Sequence, residues 1–123
     1  MDEQEQRMLQ AQFLEMKLKE LEEQLMMIER QINELQVCSM AIDDLKNVKI
    51  DSEMLVPINP GVFIKARLAN NEDIIINTGA KVFAKKNSKE AKDFIQEKLE
   101  NAIEIHNKIM EQINAIVESV NNG

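Results

Sequence analysis

The stretch VPINPGVFIKARL, residues 56–68, differs in character from the sequence on either side of it. Its flanks are rich in glutamate and leucine, whereas the stretch combines both prolines of the chain and a glycine with β-branched and aromatic residues. A shorter version follows, because Asn59-Pro60-Gly61-Val62-Phe63 is echoed by Asn77-Thr78-Gly79 and then Val82-Phe83. Turn formers between β-branched runs are typical of β-hairpins. The sequence therefore predicts two β-hairpins in the middle of a helical chain.

Four short strands are predicted in this central segment, at residues 53–57, 62–68, 74–77 and 81–85. In the second strand one set of side chains alternates with another, which predicts a buried face of Val62, Ile64, Ala66 and Leu68 and a partly wet face of Phe63, Lys65 and Arg67. Isolated hairpins are marginal in water and leave strand edges unpaired, so we expect them to pair with strands of other chains. The residues expected to carry this assembly are Leu55, Val56, Val62, Phe63, Ile64, Ile74, Ile75, Ile76, Val82 and Phe83.

The segments on both sides carry apolar residues at alternating spacings of four and three, which predicts a coiled coil. We expect an N-terminal helix over about residues 5–45, hairpins over 46–87 and a C-terminal helix over about 88–120. Asn87 and Glu90 form a capping-box-like pair at the start of the second helix. Because both helices meet the hairpins at one end, an antiparallel pairing within the chain needs the shortest connection. The predicted seam contains Ala11, Leu14, Leu18, Leu21, Leu25, Ile28, Ile32, Leu35, Ser39 and Ile42, and then Ile95, Leu99, Ala102, His106, Ile109, Ile113, Ile116 and Val120.

The net charge of −7 is unevenly distributed. Residues 1–45 hold 11 acidic and 4 basic residues, residues 46–89 hold 4 and 8, and residues 90–123 hold 7 and 3. The basic centre lacks aromatic stacking platforms and a recognised binding motif, so no nucleic-acid partner is expected. No apolar run approaches the roughly 20 residues that span a membrane, so no membrane partner is expected. The single cysteine, Cys38, cannot form an internal disulfide, which favours a reducing cytoplasmic setting.

The motifs of catalysis are missing from the sequence. It contains no Gly-rich phosphate loop, zinc motif or nucleophile–His–acid set, so we expect neither an enzyme nor a cofactor. His106 is the only histidine and occupies a seam position. We expect it to be half-buried near Leu25 and Ile28 rather than to bind a metal.

A second apolar stripe lies near the N-terminus, on the helix face opposite the seam. It consists of Leu9, Phe13 and Met16, and is called the tip stripe below. Charged residues are usual on the solvated back of a coiled coil, so an apolar stripe there indicates an interaction surface. A frayed helix end packing on a neighbouring molecule is the alternative. The residues expected to contact a client protein at this end of the coiled coil are Met8, Leu9, Phe13, Met16, Ile116, Val117 and Val120.

Two terminal helices around two central hairpins resemble the archaeal-type α-class subunit of prefoldin. The resemblance rests on three matches: Leu55-Val56-Pro57-Ile58 followed by Gly61-Val62-Phe63-Ile64-Lys65-Ala66, Gly79 before the fourth strand, and the helix start Asn87-Ser88-Lys89-Glu90-Ala91. The β-class subunits of that family have one hairpin, so four strands favour the α class. The resemblance implies a mainly α fold with a small β centre, a long antiparallel coiled-coil hairpin joined by two β-hairpins. It also implies that residues 1–123 form one prefoldin-like subunit.

The resemblance further implies a chaperone. In the family, the hairpins build a central double β-barrel, and two α-class with four β-class subunits form a hexamer. Such a hexamer holds unfolded proteins without ATP and transfers them to a group II chaperonin. A second hypothesis is a self-assembling structural protein, because two hairpins give two non-equivalent edges that can build rings or filaments. A third is a coiled-coil adaptor with one fixed partner.

Overall fold

The computed structural model describes residues 2–122 and has the predicted fold class, mainly α with a small β centre. The chain divides into two compact units, one formed by residues up to Leu35 together with those from Lys98, the other by Gln36–Glu97. The elements in chain order are α1 (Glu3–Leu45), β1 (Glu53–Asn59), β2 (Val62–Arg67), β3 (Ile74–Gly79), β4 (Val82–Lys86) and α2 (Ser88–Asn122).

The first unit is an antiparallel coiled coil between α1 and α2. Its buried centre contains two side chains from each helix: Leu21, Ile28, Ala102 and Ile109. Half-buried apolar side chains pack against this centre, namely Leu25, Ile32, Leu35, Ile113 and Ile116. All nine belong to the four-three pattern, because that spacing brings residues to one face of a helix.

The second unit contains both hairpins, each of which is a separate two-stranded antiparallel sheet. In the first hairpin Val56 lies opposite Ile64, and in the second Ile76 lies opposite Ala84. Each hairpin has a register shift just before its turn, between Pro57 and Asn59 in the first hairpin and next to Thr78 in the second. Such an extra residue in one strand is a β-bulge, which increases the local twist.

The two turns differ in how well their residues suit them. In the first, Pro60 precedes Gly61, whose φ is 82°, which matches the preferences of a type II turn. In the second, Ala80 and Lys81 join Gly79 to Val82 with φ of 47° and 64°. Two successive positive φ angles define a type I′ turn, which normally takes Asn-Gly. The predicted turn at residues 78–80 was therefore wrong by one residue, and Lys81 belongs to the turn rather than to β4.

The prediction of one buried face on the second strand was wrong for the single chain. On the face expected to be buried, Val62 and Ile64 are 52% and 49% exposed. Phe63, on the opposite face, is 55% exposed. A two-stranded sheet buries a face only when another layer packs on it. The alternation in the sequence therefore predicts a second layer over Val62 and Ile64, and no part of residues 2–122 provides that layer.

The helix ends next to the hairpins are tied together within the second unit. The Lys92 ammonium lies 2.8 Å from each carboxylate oxygen of Asp43, joining α2 to α1. The hydrogen bond from Lys92 lowers the pKa of Asp43 below its ordinary value. At the start of α2, the Glu90 N–H donates to Asn87 Oδ1 at 2.8 Å, and the Asn87 N–H donates to Glu90 Oε1 at 3.2 Å. The predicted capping box is thus confirmed.

Candidate interaction surfaces

The tip stripe lies on the solvent-exposed side of α1. Leu9, Phe13 and Met16 are 49%, 66% and 73% exposed, and the neighbouring Met8 is 64% exposed. Their spacings of four and three put the three stripe residues on one face of the helix. This face is separate from the buried seam, since Leu21 further along α1 is only 1% exposed. The stripe is therefore apolar surface that the coiled coil does not use for its own packing.

Two ion pairs along the helix flank the tip stripe. Arg7 lies 3.8 Å from Glu3, and Lys17 lies 3.9 Å from Glu20. Such exposed pairs contribute little to stability. Residues 2–20 hold five acidic and three basic residues, so the apolar stripe lies in a stretch of helix with a net negative charge.

The expected client residues of α2 fall into two groups. Val117 and Val120 are 42% and 60% exposed. Ile116 is half-buried and packs against the buried centre of the coiled coil. Ile116 is therefore held by the seam, whereas Val117 and Val120 have side chains that a partner could contact.

The hairpins carry the second exposed apolar surface. Of the ten assembly residues expected from the sequence, eight are exposed, namely Leu55, Val56, Val62, Phe63, Ile64, Ile75, Val82 and Phe83. The other two, Ile74 and Ile76, are half-buried. Ile58 is 63% exposed as well, and the sequence analysis did not assign it although it belongs to the quoted stretch. Exposed apolar side chains in this number are typical of interaction surfaces, so both hairpins are candidates for such a surface.

Ion pairs along the strands hold the basic side chains of the hairpins. Lys65 lies 3.6 Å from Glu53, Arg67 lies 3.4 Å from Asp51, and Lys85 lies 3.1 Å from Asp73. Lys46, at the start of segment 46–89, pairs with Asp43. The segment has four other lysines, Lys49, Lys81, Lys86 and Lys89, and within residues 2–122 no acidic group lies within ion-pair distance of them. The hairpin segment therefore keeps an unneutralised positive charge.

The proposed seam residues are buried to different degrees. Six are buried, namely Leu21, Ile28, Ile42, Ile95, Ala102 and Ile109, and ten are half-buried, namely Leu14, Leu18, Leu25, Ile32, Leu35, Ser39, Leu99, His106, Ile113 and Ile116. Ala11 and Val120, the first and last residues of the pattern, are exposed. The His106 Nε2 lies 3.5 Å from Glu29 Oε1, a contact that is ionic only when the imidazole is protonated. Glu29 directly follows Ile28, one of the two residues expected beside His106.

Several apolar side chains in the middle of the helices are exposed, although the sequence favours lateral packing for Met26 and Met27 and does not assign Ile105 to a site. Met26 and Met27 are 70% and 63% exposed, and Ile105 on α2 is 49% exposed. Met27 and Ile105 line a shallow groove between α1 and α2 in the coiled-coil unit. The four-three pattern does not include these residues, so only their apolar character at off-seam positions could have indicated them.

Across residues 2–122, no group of three or more His, Cys, Asp or Glu side chains could hold a metal ion. No helix in the same range is long and apolar enough to cross a membrane.

The chain matches one family model and is similar to several curated proteins of that family. Residues 14–122 match the family model for prefoldin subunits. The prefoldin subunit alpha of Thermofilum pendens is 22% identical over 101 residues, which cover 82% of this chain and 78% of the relative. The prefoldin subunit alpha of Methanococcus maripaludis is 29% identical over 119 residues, 93% of this chain and 73% of the relative.

A solved structure shares the fold. It is a filamentous PFD from Methanocaldococcus jannaschii, to which this chain aligns with a TM-score of 0.80 at 13% identity. The alignment covers 90% of this chain and 92% of the other. At that identity the likeness shows the arrangement of helices and hairpins alone.

Proposed function

The chain belongs to the prefoldin family of chaperones as an archaeal-type α-class subunit, and we propose that it holds unfolded proteins without ATP. In this proposal residues 1–123 act as one subunit of a cytoplasmic assembly. The hairpins join it to other subunits, and the ends of the coiled coil hold the client for transfer to a group II chaperonin. The single observation that carries the proposal is the exposed tip stripe.

The tip stripe suits the holding of unfolded chains for three reasons. Its side chains are 49% to 73% exposed, whereas the seam residue Leu21 of the same helix is 1% exposed. Unfolded proteins expose apolar segments, and contact between two apolar surfaces is favourable without directional bonding. Met8 and Met16 add flexible, polarisable side chains that adapt to partners of different shape. No step of this holding needs a nucleotide, which agrees with the lack of a phosphate-binding loop in the sequence.

The experiment is removal of the tip stripe without disturbing the seam. We expect the triple variant Leu9→Ser, Phe13→Ser, Met16→Ser to keep the thermal stability and the oligomer mass of the wild type. It should no longer suppress aggregation when a chemically unfolded test protein is diluted into the sample. Addition of ATP should change neither protein. Full protection by the triple variant would contradict the assignment of the tip stripe.

A matched control removes a similar apolar area elsewhere. Met26, Met27 and Val37 are 70%, 63% and 56% exposed on the same helix but lie outside the tip stripe. Their triple serine variant should protect the test protein as well as the wild type does. If this control loses protection while the tip variant keeps it, the client surface lies along the middle of α1 instead.

Assembly through the hairpins is the second part of the proposal. Ile64 and Ile75 are 49% and 62% exposed, one in each hairpin. Replacing both with Asp would bury charges in any interface that covers them, at a cost of several kcal/mol per interface. We expect smaller species by light scattering, with helicity retained in circular dichroism. An unchanged mass would defeat the assembly role of the hairpins.

A structural, filament-forming role is the second candidate function. Two observations favour it: the similar solved structure is of a filamentous PFD, and two hairpins give one subunit two non-equivalent surfaces. Contacts that join unlike surfaces build rings when they close and filaments when they do not. Light scattering of the purified chain across a concentration series separates the two roles. Continuous growth of mass with concentration favours filaments, whereas a fixed mass that changes on addition of a β-class subunit favours the chaperone assembly.

A further inference from the structure

We propose that the end of the coiled coil that carries the tip stripe selects one class of unfolded segment, namely apolar runs flanked by lysine or arginine. This inference rests on the proposed holding function and deepens it by naming the class of client segment. It follows from the net charge of this end, from the acidic side chains that have no basic partner there, and from their positions beside the exposed apolar side chains.

The end of the coiled coil that carries the tip stripe is negatively charged. It consists of residues 2–20 and residues 111–122, both within the coiled-coil unit, and is called the client end below. Residues 2–20 hold five acidic and three basic residues, and residues 111–122 hold two acidic residues and no basic one. The client end thus carries seven acidic and three basic residues, which gives a net charge of −4.

Most of this negative charge is not used in ion pairs. Arg7 is held by Glu3 and Lys17 by Glu20, so two of the three bases are already paired. The third base is Lys19, and no acidic group among residues 2–122 lies within ion-pair distance of it. Over the same range, four acidic side chains of the client end have no basic group within that distance: Glu5, Glu15, Glu111 and Glu118. The structure therefore leaves a surplus of carboxylates for contact with a partner.

Two of these carboxylates stand beside the exposed apolar side chains of the client end. Glu5 precedes Leu9 by four residues, and side chains four apart are neighbours on a helix surface. Glu118 lies in the same turn of α2 as Val117 and Val120, within about 5 Å along the helix axis. Both glutamates are exposed. A client segment that covers the apolar side chains therefore passes close to negative charge on each helix.

This charge adds selection to apolar contact. Apolar contact is non-directional and does not distinguish between client segments of similar hydrophobicity. Carboxylates beside the apolar side chains attract lysine and arginine of the client and repel aspartate and glutamate. Exposed pairs are individually weak, so a few flanking charges should change the affinity by about tenfold between a basic and an acidic form of one segment.

Matched peptides test the selection on the purified full chain. The peptides share one short apolar run and differ only in their flanking residues, which are all lysine, all glutamine or all glutamate. Fluorescence anisotropy measures their binding. At about 0.02 M salt, we expect the lysine peptide to bind at least about tenfold more tightly than the glutamate peptide. At about 1 M salt, where the Debye length is about 3 Å, the two affinities should converge while the glutamine peptide stays bound. Equal affinities at low salt, or tighter binding of the glutamate peptide, would overturn the inference.

A pair of matched variants tests where the selection arises. Glu5→Gln with Glu118→Gln removes one carboxylate from each helix at the client end. Glu34→Gln with Glu97→Gln removes two other exposed carboxylates, one on each helix, at least about 27 Å along the helices from the expected client residues. The first variant should reduce the lysine-to-glutamate ratio to about threefold or less, whereas the control should stay within about twofold of the wild type. Equal losses from the two variants would overturn the assignment to the client end.

Failure of this inference and failure of the proposed function give different results. If all three peptides bind the wild type equally and none binds the triple serine variant of the tip stripe, the stripe holds apolar segments without charge selection, and only this inference fails. If the lysine peptide binds the triple serine variant as tightly as the wild type, the tip stripe is not the holding site, and both fail.

Discussion

Leu21 and Leu9 allow a direct comparison of buried and exposed leucine on the same helix. Leu21 is 1% exposed and belongs to the buried centre with Ile28, Ala102 and Ile109. Leu9 is 49% exposed and belongs to the tip stripe. Replacing each with Ala removes the same atoms from α1, so the difference in effect measures only the packing around them.

The expected magnitudes follow from burial. Leu21→Ala leaves a cavity between two helices that can collapse only in part, and such substitutions cost about 2–5 kcal/mol. Leu9→Ala leaves no cavity, because half of the side chain is already in water, and substitutions at such sites cost within about 0.5 kcal/mol. The midpoint of thermal unfolding should fall by roughly 3–5 °C per kcal/mol for a chain of this size.

The assay is thermal and urea unfolding followed by far-ultraviolet circular dichroism. All variants must be compared at one protein concentration, because subunit association contributes to apparent stability. We expect a midpoint lowered by at least about 6 °C for Leu21→Ala and by less than about 3 °C for Leu9→Ala. Equal losses from the two variants would refute the division of α1 into a seam face and a free face.

Three further predictions concern local features. Replacing Ala80-Lys81 with Asn-Gly should stabilise the second hairpin by about 1–2 kcal/mol, because both residues adopt positive φ, and slower amide exchange in β3 and β4 would show it. Asn87→Ala should cost about 1 kcal/mol in urea unfolding, because the Glu90 N–H loses its acceptor; Asn87→Ser, which can still cap, is the control. The lowered pKa of Asp43 means that its bond to Lys92 contributes stability above the unfolded-state pKa, and that this contribution is lost as pH falls through the folded-state pKa. Acid titration of the wild type against Lys92→Met should therefore show a stability difference at neutral pH that disappears as the pH falls through the lowered pKa of Asp43.

The helices could be predicted from the sequence because their signal is local. The four-three spacing includes the buried residues of the coiled-coil unit, and Asn87 with Glu90 gives the start of α2. The pattern missed Ala91, which is completely buried in the second unit. Alanine is a weak apolar signal close to a helix start, and its burial depends on how closely neighbouring elements approach.

The hairpins could be predicted in number but not in detail. Pro60 and Gly61 suit the turn that they form, whereas Ala80 and Lys81 adopt a conformation that their own preferences disfavour. Pairing of β3 with β4 imposes that turn, so a reading of local preferences placed it one residue early. The alternation in β2 led to the prediction of a buried face, but Val62 and Ile64 are about half exposed in the single chain, because no other layer within residues 2–122 packs on them. The tip stripe was recognisable as an anomaly in the sequence, since apolar residues stand where charge is usual.

Site-specific photo-crosslinking tests the central claim most directly, namely that unfolded clients are held at the end of α1. A photoreactive phenylalanine analogue at Phe13, 66% exposed, is compared with the same analogue at Met27, 63% exposed, and at Ile75 in β3, 62% exposed. Each variant is illuminated during dilution of a chemically unfolded test protein, without nucleotide, alone and with a β-class subunit. We expect the test protein to be crosslinked from position 13 and not from positions 27 or 75. Crosslinking from position 27 or 75 with none from position 13 would contradict the account.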